Sequence, residues 1–74
     1  MTEWGSGIAA EAEYKREVLR RLVKARREGM PTGRIANESG YNISIHTIYD
    51  MLEAKSFPTW IWEKVDEGLQ RLGY

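Results

Sequence analysis

The chain has 74 residues, no cysteine, one histidine, and eleven Lys plus Arg balanced by eleven Asp plus Glu. That length buries one modest core and excludes a second independent domain, while the missing thiols exclude a disulfide framework and a thiolate zinc site, leaving His46 and carboxylates for any metal. No run of about eighteen apolar residues occurs, and Met1 to Ala12 has neither a basic start nor a long apolar stretch, so a cytoplasmic protein without membrane contact is expected.

Residues 1–8, with Gly5, Ser6 and Gly7, read as a flexible arm, in which Trp4 is either loose or tucked back onto the domain formed by residues 9–74. From about Ala9 to Glu28 neither Pro nor Gly interrupts, and Val18, Leu19, Leu22 and Val23 fall at helical spacing, with Tyr14 and Ala25 extending the stripe. The same helix is strongly basic, since Lys15, Arg16, Arg20, Arg21, Lys24, Arg26 and Arg27 face only Glu17 between residues 14 and 27. Glu3, Glu11 and Glu13 precede it, and residues 50–74 are net acidic, so the neutral total conceals segregated charge that a polyanion would sense.

Gly29 ends the first helix, and Met30-Pro31-Thr32 forms the turn that starts a short second one, with Ile35 and Ala36 directed inward. Gly40 stops that helix, Tyr41-Asn42-Ile43 links onward, and Ser44 caps a third helix from Ile45 to about Ala54, buried through Ile48, Met51 and Leu52. Phe57-Pro58 halts the third, and Thr59 is placed to cap a fourth helix running to Leu72, with Ile61, Trp62, Val65, Leu69 and Leu72 at intervals of three and four. No strand pattern occurs, so the expected fold is all-α, four helices with a short middle pair in a helix-turn-helix arrangement.

The stretch from Arg34-Ile35-Ala36-Asn37-Glu38-Ser39-Gly40 through Ile43-Ser44-Ile45-His46-Thr47-Ile48-Tyr49-Asp50-Met51-Leu52-Glu53-Ala54-Lys55, then Pro58 and Trp62 to Leu69, resembles the lambda-repressor-like Cro/C1 (XRE) family of regulators, over roughly residues 14–72. In that family a small Ala of the second helix packs on the third, a Gly makes the turn and a hydroxyl residue opens the recognition helix; Ala36, Gly40 and Ser44 stand at those places. The turn is longer than the usual one by Tyr41 and Asn42, and Leu52-Glu53-Ala54-Lys55 stands where the family often has Glu-Arg-Gly-Lys.

The resemblance implies double-stranded DNA as the partner, with the third helix in the major groove and Ser44, Ile45, His46, Tyr49 and Asp50 toward the bases. His46 would donate to guanine, Ile45 meet a thymine methyl, Asp50 accept from a cytosine amino group, and Tyr49 reach a phosphate or stack. Against this stand plainer readings: His46 as an exposed helix residue, Tyr49 as an aromatic closing the core, and Asp50 and Glu53 as solvated surface that phosphates would repel. Matching backbone positions are Thr32, Gly33, Arg34, Lys55, Ser56 and Thr59, because helix N-termini and turn amides favour phosphate, and Arg20 and Arg21 with the rest of the basic helix either flank the duplex or solvate that helix. Trp60 and Trp62 cannot both face one small core from one helix; a homodimer contact with Leu72 and Tyr74, or a Trp lying flat on the first helix, would use the surplus one. A lone imidazole and scattered carboxylates, without a glycine-rich phosphate loop, give no support to catalysis, and no cofactor is expected. The expected function is a small phage- or mobile-element-type regulator, a repressor for instance, that binds an operator as a dimer. The alternative is the same scaffold used to bind another regulator protein, as an antirepressor, antitoxin or inhibitor, through its basic first helix.

Overall fold

In the computed structural model, which describes the backbone from residue 2 and side chains from residue 10 to residue 74, the chain forms α1 (Thr2–Arg27), α2 (Thr32–Ser39), α3 (Ile45–Leu52) and α4 (Thr59–Arg71). No strand occurs among the described residues. The molecule measures 42 × 22 × 22 Å, and α1, at about 1.5 Å per residue, spans nearly its whole long axis.

α1 begins at Thr2, ahead of the start expected near Ala9, so residues 2–8 of the expected arm belong to the helix. Gly5 and Gly7 each cost about 1 kcal/mol relative to alanine in a helix, but lengthening an existing helix adds a hydrogen bond per residue without a new nucleus. The position of the Trp4 side chain lies outside the described residues.

α3 ends at Leu52, two residues before the expected Ala54, and most other boundaries follow the sequence signals to within a residue. Ser44 caps α3, its Oγ accepting from the Thr47 backbone N–H at 3.2 Å, which satisfies one of the first-turn donors that a helix leaves open. Three helices end in the same reverse turn. The N–H groups of Met30, Lys55 and Tyr74 reach back to the carbonyls of Ala25, Asp50 and Leu69, and those of Gly29, Ala54 and Gly73 to Arg26, Met51 and Gln70. This double bond pattern needs a left-handed residue at its centre, and Gly29 (φ 95°), Ala54 (φ 62°) and Gly73 (φ 92°) supply it.

One expected cap shifts by a residue. α4 is preceded by Pro58 at the cap, and Thr59 is the first helical residue, its hydroxyl donating to Glu11 Oε2 at 2.6 Å. Proline at the cap has no side-chain acceptor to offer, so the threonine is free to tie α4 to α1.

All four helices feed one core. Val18 and Leu22 of α1, Ile35 of α2, Ile48 and Met51 of α3, and Val65 and Leu69 of α4 are its largest fully buried side chains, each worth about 1.5–3 kcal/mol when withdrawn from water. Ala25, Ala36, Ile43 and Trp62 complete it, while Tyr14, Leu19, Leu52, Ile61 and Leu72 pack around its edge. α2 lies against both α3 and α4, and α1 against α4 and α3. Residue order shows that α1 and α4 run parallel: Glu11 meets Thr59, Tyr14 meets Asp66, and Glu28 meets Tyr74.

Candidate nucleic-acid interface

Packing Ile48 and Met51 inward turns the opposite side of α3 outward, because residues at i and i+4 share a face of a helix. Ile45 and Tyr49 are 45% and 48% exposed, and Ser44 and His46 are exposed as well. Ile45 rests over the first turn of α2, where a Cβ at Gly33 would stand 3.5 Å from Ile45 Cδ1. Arg34, on the following position of α2, is exposed and makes no ion pair among the described residues. Both α2 and α4 start after a proline without a side-chain cap, so the first amides of each helix remain open to an anion, the charge that a helix N-terminus favours.

The other expected contacts are partly engaged inside the protein. Ser44 Oγ is committed to its cap and also lies 3.2 Å from Thr47 Oγ1. Asp50 is half-buried and accepts from Lys55 Nζ at 3.2 Å, with Glu53 3.6 Å from the same ammonium. The hydrogen bond to Asp50 holds the Lys55 ammonium charged to higher pH than usual, yet two carboxylates absorb that charge, so Lys55 is a poorer phosphate ligand than its sequence position promised. Ser56 is exposed. The Thr32 side chain is buried and its hydroxyl has no partner, which leaves only its backbone amide for an outside ligand. The Thr59 hydroxyl, taken by Glu11, is in the same position.

Arg21 is engaged within the protein. Expected against a DNA backbone, its guanidinium is instead held by the Asp66 carboxylate, by the Tyr74 carbonyl at 3.2 Å and near Glu17 at 3.7 Å. Asp66 also accepts from Tyr14 Oη at 2.6 Å and Gln70 Nε2 at 3.0 Å. Burial alone would push the Asp66 carboxyl up, but the hydrogen bonds from Tyr14, Arg21 and Gln70 outweigh it and hold the group below the usual carboxylate range. Burial, then the bond to Asp66, pushes the Tyr14 phenol up. The signal for this network was present in the sequence. Asp66 sits four residues after Trp62 and three before Leu69, on the apolar stripe of α4, where a charge is stable only with partners.

Arg20 is exposed and bonds Glu17 through its guanidinium at 2.6 Å, and Arg26 donates to the Met30 carbonyl at 2.5 Å. Arg16, Lys24 and Arg27 are exposed and make no ion pair among the described residues. An open hollow of about 570 Å³ along α1 is lined by Arg20, Val23, Lys24, Arg27 and Glu28, which hold no pairing of a nucleophile with a base. Among the expected dimer residues, Trp60 is 49% exposed, whereas Trp62 is 5% exposed and belongs to the core. Two positions apart on a helix, they point to nearly opposite sides. Leu72 packs against the core, and Tyr74 is tied down through its hydroxyl to Glu28 at 2.7 Å. Of these four, Trp60 alone presents a large free apolar surface.

Among the described residues no group of His, Asp and Glu is arranged to hold a metal, and no helix is long and apolar enough to cross a membrane. Compared with protein-family models, curated proteins and solved structures, the chain matches none.

Proposed function

We propose that the chain is a small helix-turn-helix DNA-binding protein of the lambda-repressor-like Cro/C1 kind, a transcriptional regulator without catalytic activity, in which α2 and α3 form the motif. The observation that carries this reading is the outward face of α3, with Ile45, His46 and Tyr49 exposed, beside the uncapped start of α2 and Arg34, which makes no ion pair among the described residues. A helix with exposed side chains on its first turn suits the major groove, while open amides and a free guanidinium suit the phosphates that fix its register. The resemblance gains support from Ala54. It occupies a left-handed turn at φ 62°, the conformation that glycine adopts most readily, in the tetrapeptide where the family often has glycine.

Pairing of two copies would supply the affinity that one short helix lacks, and the exposed Trp60 is the side chain best suited to that contact. A second reading has its own support: Arg16, Lys24 and Arg27 on α1 form a cationic row without ion pairs among the described residues, which would grip an acidic partner protein.

An anisotropy titration against random duplex pools at roughly 50 and 200 mM salt, followed by selection, separates the two. The DNA reading expects one enriched sequence with a two-fold repeat, and affinity that falls steeply with salt. Arg34→Ala should weaken all sequences and flatten the salt slope. Absence of binding at the lower salt would overturn the DNA reading and leave the acidic partner of α1.

A further inference from the structure

We propose, resting on the DNA-binding reading above, that this protein recognises thymine-bearing steps of its operator through their methyl groups, with Ile45 as the contacting side chain and Tyr49 beside it. The side chains of α3 explain the choice. Between Ile45 and Leu52 there is no Arg, Lys, Asn or Gln, the residues that read guanine or adenine by paired hydrogen bonds. Two polar groups on this surface already have partners within the protein: Ser44 Oγ, just before the helix, caps it, and Asp50 accepts from Lys55. What α3 offers outward on its first two turns is mainly apolar, Ile45 and Tyr49 one turn apart and each about half exposed, with His46 next to them.

In the major groove the C5 methyl of thymine is the apolar feature that distinguishes one base from another. A branched aliphatic side chain complements it by excluding water from both surfaces. Ile45 is also held in place for that contact. Its Cδ1 lies beside Gly33, where an added Cβ would stand at an ordinary contact distance of 3.5 Å, so one end of the side chain already rests on the first turn of α2 and less freedom is lost on binding than for an unsupported chain. The same turn carries the open amides and Arg34 that would sit on the adjacent phosphates, which fixes how deep Ile45 enters the groove.

The test compares two versions of the duplex enriched from a random pool, one with thymidine and one synthesised with deoxyuridine throughout, which keeps the base pairing and removes the methyls. Wild type should bind the deoxyuridine duplex about fourfold more weakly for each methyl contacted. Ile45→Ala should bind both alike, whereas Ile45→Val should keep the preference for thymine and His46→Ala should lose affinity for both duplexes in the same proportion. Thermal melts of each variant separate a lost contact from a lost fold, and Ile45→Thr, which replaces apolar surface with a hydroxyl and should lose the preference, serves if the alanine variant melts too low. Equal binding of both duplexes by wild type overturns methyl recognition and leaves DNA binding standing, and a preference that survives in Ile45→Ala overturns the assignment to Ile45. Failure to enrich any duplex overturns the DNA reading and this inference with it.

Discussion

Asp66 shows how one side chain sets the relation of two helices. Its carboxylate collects hydrogen bonds from Tyr14, Arg21 and Gln70, and Arg21 extends the network to the C-terminal Tyr74. Because the folded protein holds Asp66 below its ordinary value of 3.8, the unfolded chain binds more protons there. The stability that Asp66 contributes is therefore complete above about pH 5 and is lost as the pH falls below about 4. Asp66→Asn should lower stability near neutral pH by about 2–3 kcal/mol and flatten the acid limb of the stability curve, a difference that denaturant titrations from pH 7 to pH 3 would read. A second residue carries a strain that can be relieved. Ala54 sits in the left-handed region, which costs a residue with a Cβ about 1–2 kcal/mol. Ala54→Gly should stabilise the domain by about 1 kcal/mol, seen as a rise in Tm of roughly 4–8 °C; a fall in Tm would mean that the turn at the end of α3 differs from the one described.

Between elements, the closest approach is that of α2 to α4. A Cβ on Gly68 would lie 2.6 Å from Ser39 Oγ and 2.8 and 2.9 Å from the Ser39 backbone N and Cα, so glycine is what lets the end of α2 lie against α4. Ser39 turns its hydroxyl back to the Ile35 carbonyl at 2.7 Å, and Arg71 bonds the Glu38 carbonyl at 2.7 Å. Gly68→Ala should cost more than the ~1 kcal/mol that alanine gains within a helix, near the upper end of the roughly 1–3 kcal/mol for overpacking, because two of the three close atoms are backbone. A higher Tm for this variant would contradict the crossing. The four helices, the Ser44 cap, the Gly29 stop and most of the core were legible in the sequence, since periodicity and capping are local. The Gly68 contact was not, because a close crossing depends on which helices meet, and in one chain such a glycine reads only as a weak helix position. The Ala54 turn escaped for a related reason: alanine is a helix former and gives no local sign of a left-handed conformation. The pairing of Arg21 with Asp66 was not legible because a basic residue on a basic helix looks like its neighbours until Asp66 is brought beside it.

At the scale of the molecule, charge segregation survives folding but changes meaning. Of the cations on α1, Arg21 is spent on the core edge and Arg20 pairs with Glu17, while Arg16, Lys24 and Arg27 remain free among the described residues. The acidic pair Asp50 and Glu53 that would repel phosphate is partly neutralised by Lys55. These changes narrow the proposed contact to the start of α3, the start of α2 and Arg34, and leave α1 as the competing surface. The measurement that separates them most directly is a titration of the isotope-labelled protein with a selected duplex, followed by amide chemical shifts. The account predicts that the amides of Thr32, Gly33, Arg34 and residues 44–49 move together and saturate, while those of residues 15–27 stay in place. Shifts confined to residues 15–27, or none at about 50 mM salt, would contradict it.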